Sequence, residues 1–167
     1  MEMLRLGATL AERILGFPAP VLIASGGHTV AGGAFLLLAA DVRIGTAGDF
    51  RVGLNEVQIG LTVPWFVIEL ARQRLHPGHF SRALVNAALY SPQEAVEVGY
   101  FDWVVAAADL RAASLLEAAR LAELDRSAHT ATKLRARSHA LAAIRRAIES
   151  EITAEGLGAT QTETGGS

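Results

Sequence analysis

Two adjacent glycines, Gly32 and Gly33, stand directly before the longest apolar run of the chain, Ala34 to Ala40. Glycines at this point are typical of a strand that turns into a buried helix. The first N–H groups of such a helix have no partner within it, and the positive end of the helix dipole reinforces them. These groups can therefore hold a developing negative charge. The chain is accordingly expected to fold with a strand before the glycines and a buried helix after them.

A lone carboxylate, Glu56, follows in the segment from Gly53 to Val63, which we expect to be a loop that presents Asn55 and Glu56. A carboxylate beside free backbone N–H groups can move a proton to and from a carbon while those groups hold the charge that results. The two parts together can form and quench an enolate, so the pattern favours an enzyme. The structural alternatives are close helix packing for the glycines and a solvated loop position for the carboxylate.

The composition limits the other classes of function. The 167 residues suffice for one domain with a substantial core, and 51% hydrophobic against 19% charged residues argue against disorder over most of the length. With 15 Lys and Arg against 17 Asp and Glu, no basic block is dense enough to bind nucleic acid. The chain has no cysteine, which excludes thiol catalysis, disulfides and cysteine-bound metals.

No targeting, membrane or metal-binding segment is evident. The apolar run is far shorter than the roughly 20 residues of a membrane span. The N-terminal segment carries Glu2 and Glu12 and is more typical of an amphipathic helix than of an export signal. His76 and His79 are separated by proline and glycine with no third ligand nearby, so we expect no metal site. We expect a cytoplasmic protein that contacts neither membranes nor nucleic acid.

Apolar periodicity, prolines and glycines predict alternating helices and strands. The first expected helix ends before Pro18, the glycine pair opens the second, and the third runs from Pro64 to about Leu75. A short fourth helix begins with a capping box at Ser91 and Glu94 and ends at Gly99. The chain is expected to be helical again over 109–152. The expected strands are 21–24, 41–45, 49–52 and 100–105. Asp41 and Arg43 are expected to pair at a strand end, and Arg137 to lie on a solvated helix face.

Three segments in this order resemble the crotonase superfamily of enoyl-CoA hydratases and isomerases. PVLIASGGHTVAGGAFLLLAADVRI is similar to the strand, glycine turn and helix of that family, and SPQEAVEVGYFDWVV to the segment before its C-terminal helices. GLNEVQIGLTVPWF is similar to the corresponding stretch of mitochondrial-type Δ3,Δ2-enoyl-CoA isomerases. The resemblance implies an α/β fold of crotonase type, with ββα spiral units and a C-terminal helical region.

The resemblance also implies roles for individual residues. Gly32 falls where the family places a backbone N–H donor to the thioester oxygen, and Glu56 where it places an acid/base carboxylate. Typical hydratases carry a second glutamate at the position of Phe35. Phenylalanine cannot orient or deprotonate water, whereas one carboxylate beside an apolar wall suits transfer of a proton from C2 to C4. The substrate-binding residues expected besides the catalytic pair are Gly33, Phe35, Trp65 and Phe66.

These matches favour an enoyl-CoA isomerase over the alternative, an enoyl-CoA hydratase of fatty-acid metabolism. CoA then arrives as part of the thioester substrate, with no other cofactor. The resemblance further implies a homo-oligomer, a trimer or hexamer assembled largely through the C-terminal helices.

Family members carry roughly 60–80 residues before the first matching segment, on the scale of a typical domain. The expectation is therefore an N-terminally truncated domain: a partial crotonase-like core over 1–108, assembly helices over 109–155 and a flexible tail over 156–167. A further alternative is a non-catalytic remnant that acts only as an assembly subunit.

Overall fold

The computed structural model describes residues 2–151. Within them the chain forms eight α-helices and five short strands. The helices are α1 (Glu2–Leu15), α2 (Gly32–Ala39), α3 (Trp65–Arg74), α4 (Phe80–Leu84), α5 (Pro92–Val98), α6 (Leu110–Ala122), α7 (Arg126–Ala136) and α8 (Ser138–Glu151). The strands are β1 (Leu22–Ser25), β2 (Thr29–Val30), β3 (Val42–Thr46), β4 (Val52–Gly53) and β5 (Trp103–Val105). No helix in this part of the chain is long and apolar enough to cross a bilayer.

The strands form two parallel sheets. β1, β3 and β5 pair in that order, with Leu22 opposite Val42 and Ile44 opposite Trp103. β2 and β4 form a separate two-stranded ladder. Parallel neighbours need crossover connections, and helices such as α2 and α5 supply them. The fold is therefore of the expected α/β class.

The core lies between α2, α3 and the two long helices at either end of the chain. α2 is apolar around its circumference, as a helix buried on all sides must be. Leu37 and Leu38 of α2 are fully buried, and so are Phe66 of α3 and Ile144 of α8. Both α1 and α8 pack against this centre, since α8 contacts α3 and α1.

Local signals placed several element ends correctly. α1 ends before Pro18, α2 begins at Gly32, and the Ser91–Glu94 capping box forms with Gly99 in the left-handed conformation that closes α5. Other predictions differ from the structure. The strand expected over 49–52 is reduced to β4 (Val52–Gly53), and β2 was not expected. Pro64 precedes α3 in extended conformation and is not its first residue, and the helical region from residue 109 is divided into α6, α7 and α8. α4 was not expected at all, and the tail 156–167 lies outside the described residues.

The predicted pairing of Asp41 with Arg43 is wrong. The Asp41 carboxylate pairs with Lys133 at 2.6 Å and with Arg137 at 2.9 Å; Lys133 is buried, and the side chains of Asp41 and Arg137 are only 12% and 11% exposed. Arg43 instead pairs with Asp102 at 2.6 Å. Asp41 precedes β3 and is held by cations from the C-terminal helices, whereas Arg43 within β3 is held by Asp102, which directly precedes the neighbouring strand β5. Arg137 therefore does not lie on a solvated face.

Candidate active site

The β2–β4 ladder brings the glycine pair and Glu56 to one end of the molecule. Val30 lies opposite Gly53, and the next residue, Ala31, donates its N–H to the Gly53 carbonyl at 3.0 Å. Gly32 follows Ala31 directly, and Glu56 follows Gly53 by three residues, a reach of at most about 11 Å. The pairing therefore places the start of α2 beside the segment that carries the carboxylate.

The start of α2 presents backbone N–H groups without acceptors. Ala31 precedes the helix in a strained conformation (φ 50°, ψ −114°) and supplies no side-chain cap. The first helical hydrogen bond runs from the Phe35 N–H to the Ala31 carbonyl at 3.1 Å. Among the described residues nothing accepts a hydrogen bond from the N–H of Gly32 or Gly33. These groups and the positive helix end favour an anion at this point.

An apolar wall lies beneath this helix start. The Phe35 ring packs so closely that a Cβ at Gly32 would lie 3.7 Å from it, and one at Gly7 of α1 only 3.2 Å. Phe66 meets the same ring edge to face, with 5.3 Å between centroids. Phe66 is fully buried, so it supports Phe35 from below, and its contact with a substrate stays a prediction. Phe35 keeps 9% of its surface exposed.

The Glu56 carboxyl is buried, with 9% of the residue exposed, and its Oε2 atom has no hydrogen-bond partner. Burial raises the pKa of this carboxyl, because desolvation disfavours the charged form. The Glu56 carbonyl accepts from the N–H of Ile59 and Leu61 and so closes a short turn. A carboxyl with a raised pKa and free lone pairs is suited to taking up and returning a proton.

An apolar cleft of about 490 Å³ begins directly after Glu56. Its lining comes from the segment after the carboxylate, from α3 and from the region of α4: Val57, Gly60, Leu61, Thr62, Val63, Ile68, Phe80, Leu84 and Val85. Trp65, at the start of α3, is 59% exposed and does not line this cleft. The sequence reasoning missed the α4 side of the cleft, although Phe80 and Leu84 stand at helical spacing.

Sequence reasoning also missed a group of buried polar atoms around the exit of β4. The Asn55 Oδ1 atom and the hydroxyls of Tyr90 and Tyr100 are buried without a hydrogen-bond partner, as is Glu56 Oε2. Tyr90 is fixed there by two backbone hydrogen bonds with Val52 of β4, each 2.9 Å long. No sequence signal marks these tyrosines as polar groups of the site, since neither belongs to a motif that the sequence analysis connects with the glycine pair or Glu56.

Comparison with known proteins gives one family throughout. The model of the family described as "Enoyl-CoA hydratase/isomerase" matches residues 6–163. The curated human mitochondrial enoyl-CoA delta isomerase 1 is 30% identical over 108 residues, which cover 64% of this chain and 36% of that protein.

Solved structures are similar over most of this chain. An enoyl-CoA hydratase/isomerase family protein from Pseudomonas syringae is 46% identical with a TM-score of 0.88, covering 90% of this chain and 65% of that one. An enoyl-CoA hydratase from Mycobacterium marinum is 40% identical with a TM-score of 0.87, covering 92% and 68%. The chain thus spans about a third of the curated human relative that it matches and about two thirds of these structures.

Proposed function

Because this chain belongs to the enoyl-CoA hydratase/isomerase family, we propose that it binds an acyl-CoA thioester and shifts its double bond from C3 to C2. The observation that carries the proposal is the Glu56 carboxyl, buried and without a hydrogen-bond partner, at the end of the ladder that also fixes the start of α2. CoA takes part only as the carrier of the acyl group. The reaction moves one proton and transfers no electrons, so it needs no further cofactor.

In the proposed reaction the Glu56 carboxylate removes a proton from C2 of the 3-enoyl thioester. The electrons of the C2–H bond move toward the thioester carbonyl and give a dienolate, whose negative oxygen accepts a hydrogen bond from the Gly32 N–H. The protonated Glu56 then returns the proton to C4, and the double bond forms between C2 and C3. One oxyanion donor contributes about 10²–10³ in rate, and a positioned general base about 10²–10⁴.

The apolar surroundings support isomerisation rather than hydration. Phe35 stands where the resemblance to hydratases implies a second carboxylate, and its ring packs on Phe66. A phenylalanine ring cannot orient or deprotonate a water molecule. Among the described residues no other acidic side chain acts on the pKa of Glu56. A site with one carboxylate and an apolar wall keeps water away from the dienolate while the proton moves from C2 to C4. We propose Gly33, Phe35 and Trp65 as further substrate contacts.

Hydration is the second candidate, because the Mycobacterium marinum structure, at 40% identity, is called an enoyl-CoA hydratase. The test offers the full chain two substrates separately. A 3-enoyl-CoA is followed for the conjugated 2-enoyl product, and a 2-enoyl-CoA for the 3-hydroxy product. Isomerase turnover without hydration supports the proposal. Hydration at a comparable or higher rate would replace it, and a chain that binds no acyl-CoA would be a non-catalytic assembly subunit.

Glu56→Gln tests the assignment of the base, with Glu97→Gln as the matched control on the exposed face of α5. The amide cannot accept the C2 proton, so we expect kcat to fall by about 10²–10⁴ while Glu97→Gln leaves it unchanged. Full turnover by Glu56→Gln would show that another group removes the proton.

We also propose a homo-oligomer, a trimer or hexamer as the resemblance implies. Leu115 and Leu116 of α6 expose 60% and 76% of their surface, which supports an apolar contact with another copy. Light scattering on the purified chain gives its mass directly, and a monomer at working concentration would contradict this part of the proposal.

A further inference from the structure

Ala31, the residue before the glycine pair, has a backbone conformation that alanine rarely adopts. Its φ is 50° and its ψ is −114°. These angles are close to those of the first central residue of a type II′ turn, about +60° and about −120°, a position typical of glycine. Such a conformation persists in an L-residue only when the surrounding structure imposes it, and it is most frequent at functional sites. The strain at Ala31 therefore needs an explanation.

Two hydrogen bonds hold Ala31 in place. Its N–H donates to the Gly53 carbonyl at 3.0 Å, and its carbonyl accepts from the Phe35 N–H at 3.1 Å in the first turn of α2. In a trans peptide the carbonyl and the following N–H point in opposite directions. Because the Ala31 carbonyl points into α2, the N–H of Gly32 points out of the helix start.

A rotation of the peptide between Ala31 and Gly32 would relieve the strain. Turning it by roughly 160° brings Ala31 to the left-handed region near about φ +57° and ψ +47°, the least strained conformation with positive φ for an L-residue. The Phe35 N–H would then lose its acceptor, and the Ala31 carbonyl would take the place of the Gly32 N–H. Since a carbonyl oxygen repels the oxygen of a thioester, the rotated peptide withdraws the donor from the site.

Gly32 also fits two orientations of this peptide. In the described structure it begins α2 without a positive φ, and a Cβ there would lie 3.7 Å from the Phe35 ring, an ordinary van der Waals contact. Neither its conformation nor its protein surroundings therefore require glycine. The rotated peptide does require glycine, because the same rotation gives residue 32 a positive φ.

We propose that the Ala31–Gly32 peptide is a two-state element of the site, held in its strained orientation by a thioester oxygen that accepts from the Gly32 N–H. Ala31 is then a positioning residue whose Cβ disfavours the orientation that presents the N–H, while the Phe35 hydrogen bond and the ligand favour it. The ligand-free chain visits the rotated orientation as a minor state. The inference rests on the proposed function for the identity of the ligand, but the peptide equilibrium does not depend on it.

Hydrogen exchange of the Phe35 amide in the full chain measures this equilibrium, because the rotation breaks the hydrogen bond of that amide. The unmodified chain is compared with Ala31→Gly, which removes the Cβ that strains the described orientation. Glycine ordinarily loosens a backbone, so a purely structural role of Ala31 predicts faster exchange in the variant. We expect the opposite, about tenfold slower exchange, because the described orientation is no longer strained.

Ala87→Gly is the matched control. Within the described part of the chain Ala87 is the other non-glycine residue with a positive φ, 49°, and it lies far along the sequence from α2. This variant should leave the exchange of the Phe35 amide unchanged. Unchanged or faster exchange in Ala31→Gly, or an equal slowing in Ala87→Gly, overturns the proposal.

Octanoyl-CoA, a saturated thioester that cannot isomerise, tests the role of the ligand. At saturation it should slow exchange of the Phe35 amide in the unmodified chain by at least about tenfold, because it binds only the orientation that presents the Gly32 N–H. Binding without any slowing would overturn this role. A chain that binds no octanoyl-CoA would refute the proposed function, while the ligand-free comparison still decides the peptide equilibrium.

Discussion

The burial of the Glu56 carboxyl suits it to proton transfer but lowers the stability of the folded chain at neutral pH. Burial raises its pKa, which means that the folded chain holds the proton more tightly than the unfolded chain. The stability that the neutral carboxyl contributes is fully present below the unfolded pKa and is lost as the pH rises through the raised value. At neutral pH the ionised side chain therefore costs stability, as active-site residues commonly do.

Glu56→Gln is accordingly expected to melt at a higher temperature than the unmodified chain at pH 8, because the amide needs no ionisation in a buried position. The difference should shrink as the pH falls and vanish below the pKa of an unfolded glutamate, about 4.3. Thermal unfolding followed by circular dichroism over pH 4 to 8 measures it. A variant less stable at pH 8 would show that the carboxylate has a stabilising partner.

Individual residues also show where sequence reasoning succeeds. Glu56 and Gly32 stood out because a lone carboxylate and a glycine pair are unusual within an apolar stretch. Tyr100 did not, because a single tyrosine between a glycine and a phenylalanine is typical of a core residue. The Asn55 side chain was expected in the loop, with no reason to expect its Oδ1 atom to be buried.

Among the elements, β4 is the one on which the candidate site depends. In this two-residue strand the Gly53 carbonyl accepts a hydrogen bond from the Ala31 N–H, and Val52 exchanges two backbone hydrogen bonds with Tyr90. Gly53 adopts φ 148°, and a Cβ there would lie 2.9 Å from the Ala88 carbonyl oxygen. Both its conformation and its surroundings therefore require glycine.

Gly53→Ala is expected to destabilise the chain by about 2–4 kcal/mol, from backbone strain and from the contact with Ala88. Gly60→Ala is the matched control, since Gly60 has φ 77° but no atom within 4 Å of its Cβ position. Strain alone should cost it about 1–2 kcal/mol. Urea unfolding measures the free energy of unfolding of both variants and of the unmodified chain. Equal losses would show that the ladder tolerates the added methyl group.

Elements were predictable where a local signal marks their ends. The capping box at Ser91 and the glycine at Gly99 define α5 within seven residues, and Pro18 limits α1. α4 was not predicted because it has only five residues and no side-chain cap, so one apolar pair at helical spacing was its sole signal. The breaks between α6, α7 and α8 were not predicted, because alanine and arginine favour helix on both sides of each break.

At the scale of the whole molecule, an ion cluster joins the segment before β3 to Lys133 of α7 and to Arg137, the residue that follows α7. Asp41, just before β3, accepts from Lys133 and pairs with Arg137, and it also accepts the Val21 N–H at 2.7 Å. Lys133 donates in addition to the Ala19 carbonyl at 3.1 Å. The cluster links the sheet to the C-terminal helices over 92 residues, a separation that no local pattern could reveal.

Removing the shared anion should leave the Lys133 and Arg137 cations without a counter-ion, although each still donates a hydrogen bond to a backbone carbonyl. Asp41→Asn is therefore expected to destabilise the chain by about 3–5 kcal/mol. Glu2→Gln, which removes the anion of the exposed Glu2–Arg5 pair, should leave the stability essentially unchanged. Urea unfolding at neutral pH measures both. A loss below 1 kcal/mol in Asp41→Asn would mean that the cluster is solvated in solution.

The central step is removal of a proton from C2 by Glu56 while the start of α2 holds the thioester oxygen. Deuterium magnetic resonance of a 3-enoyl-CoA that carries two deuterium atoms at C2 observes this step directly. With the unmodified chain we predict that C2 loses one deuterium as the 2-enoyl product forms and that this deuterium appears at C4 or in the solvent, at a rate at least about 10²-fold higher than with Glu56→Gln. Loss of deuterium from C2 at the unmodified rate with Glu56→Gln, or no loss with the unmodified chain, would contradict this mechanism.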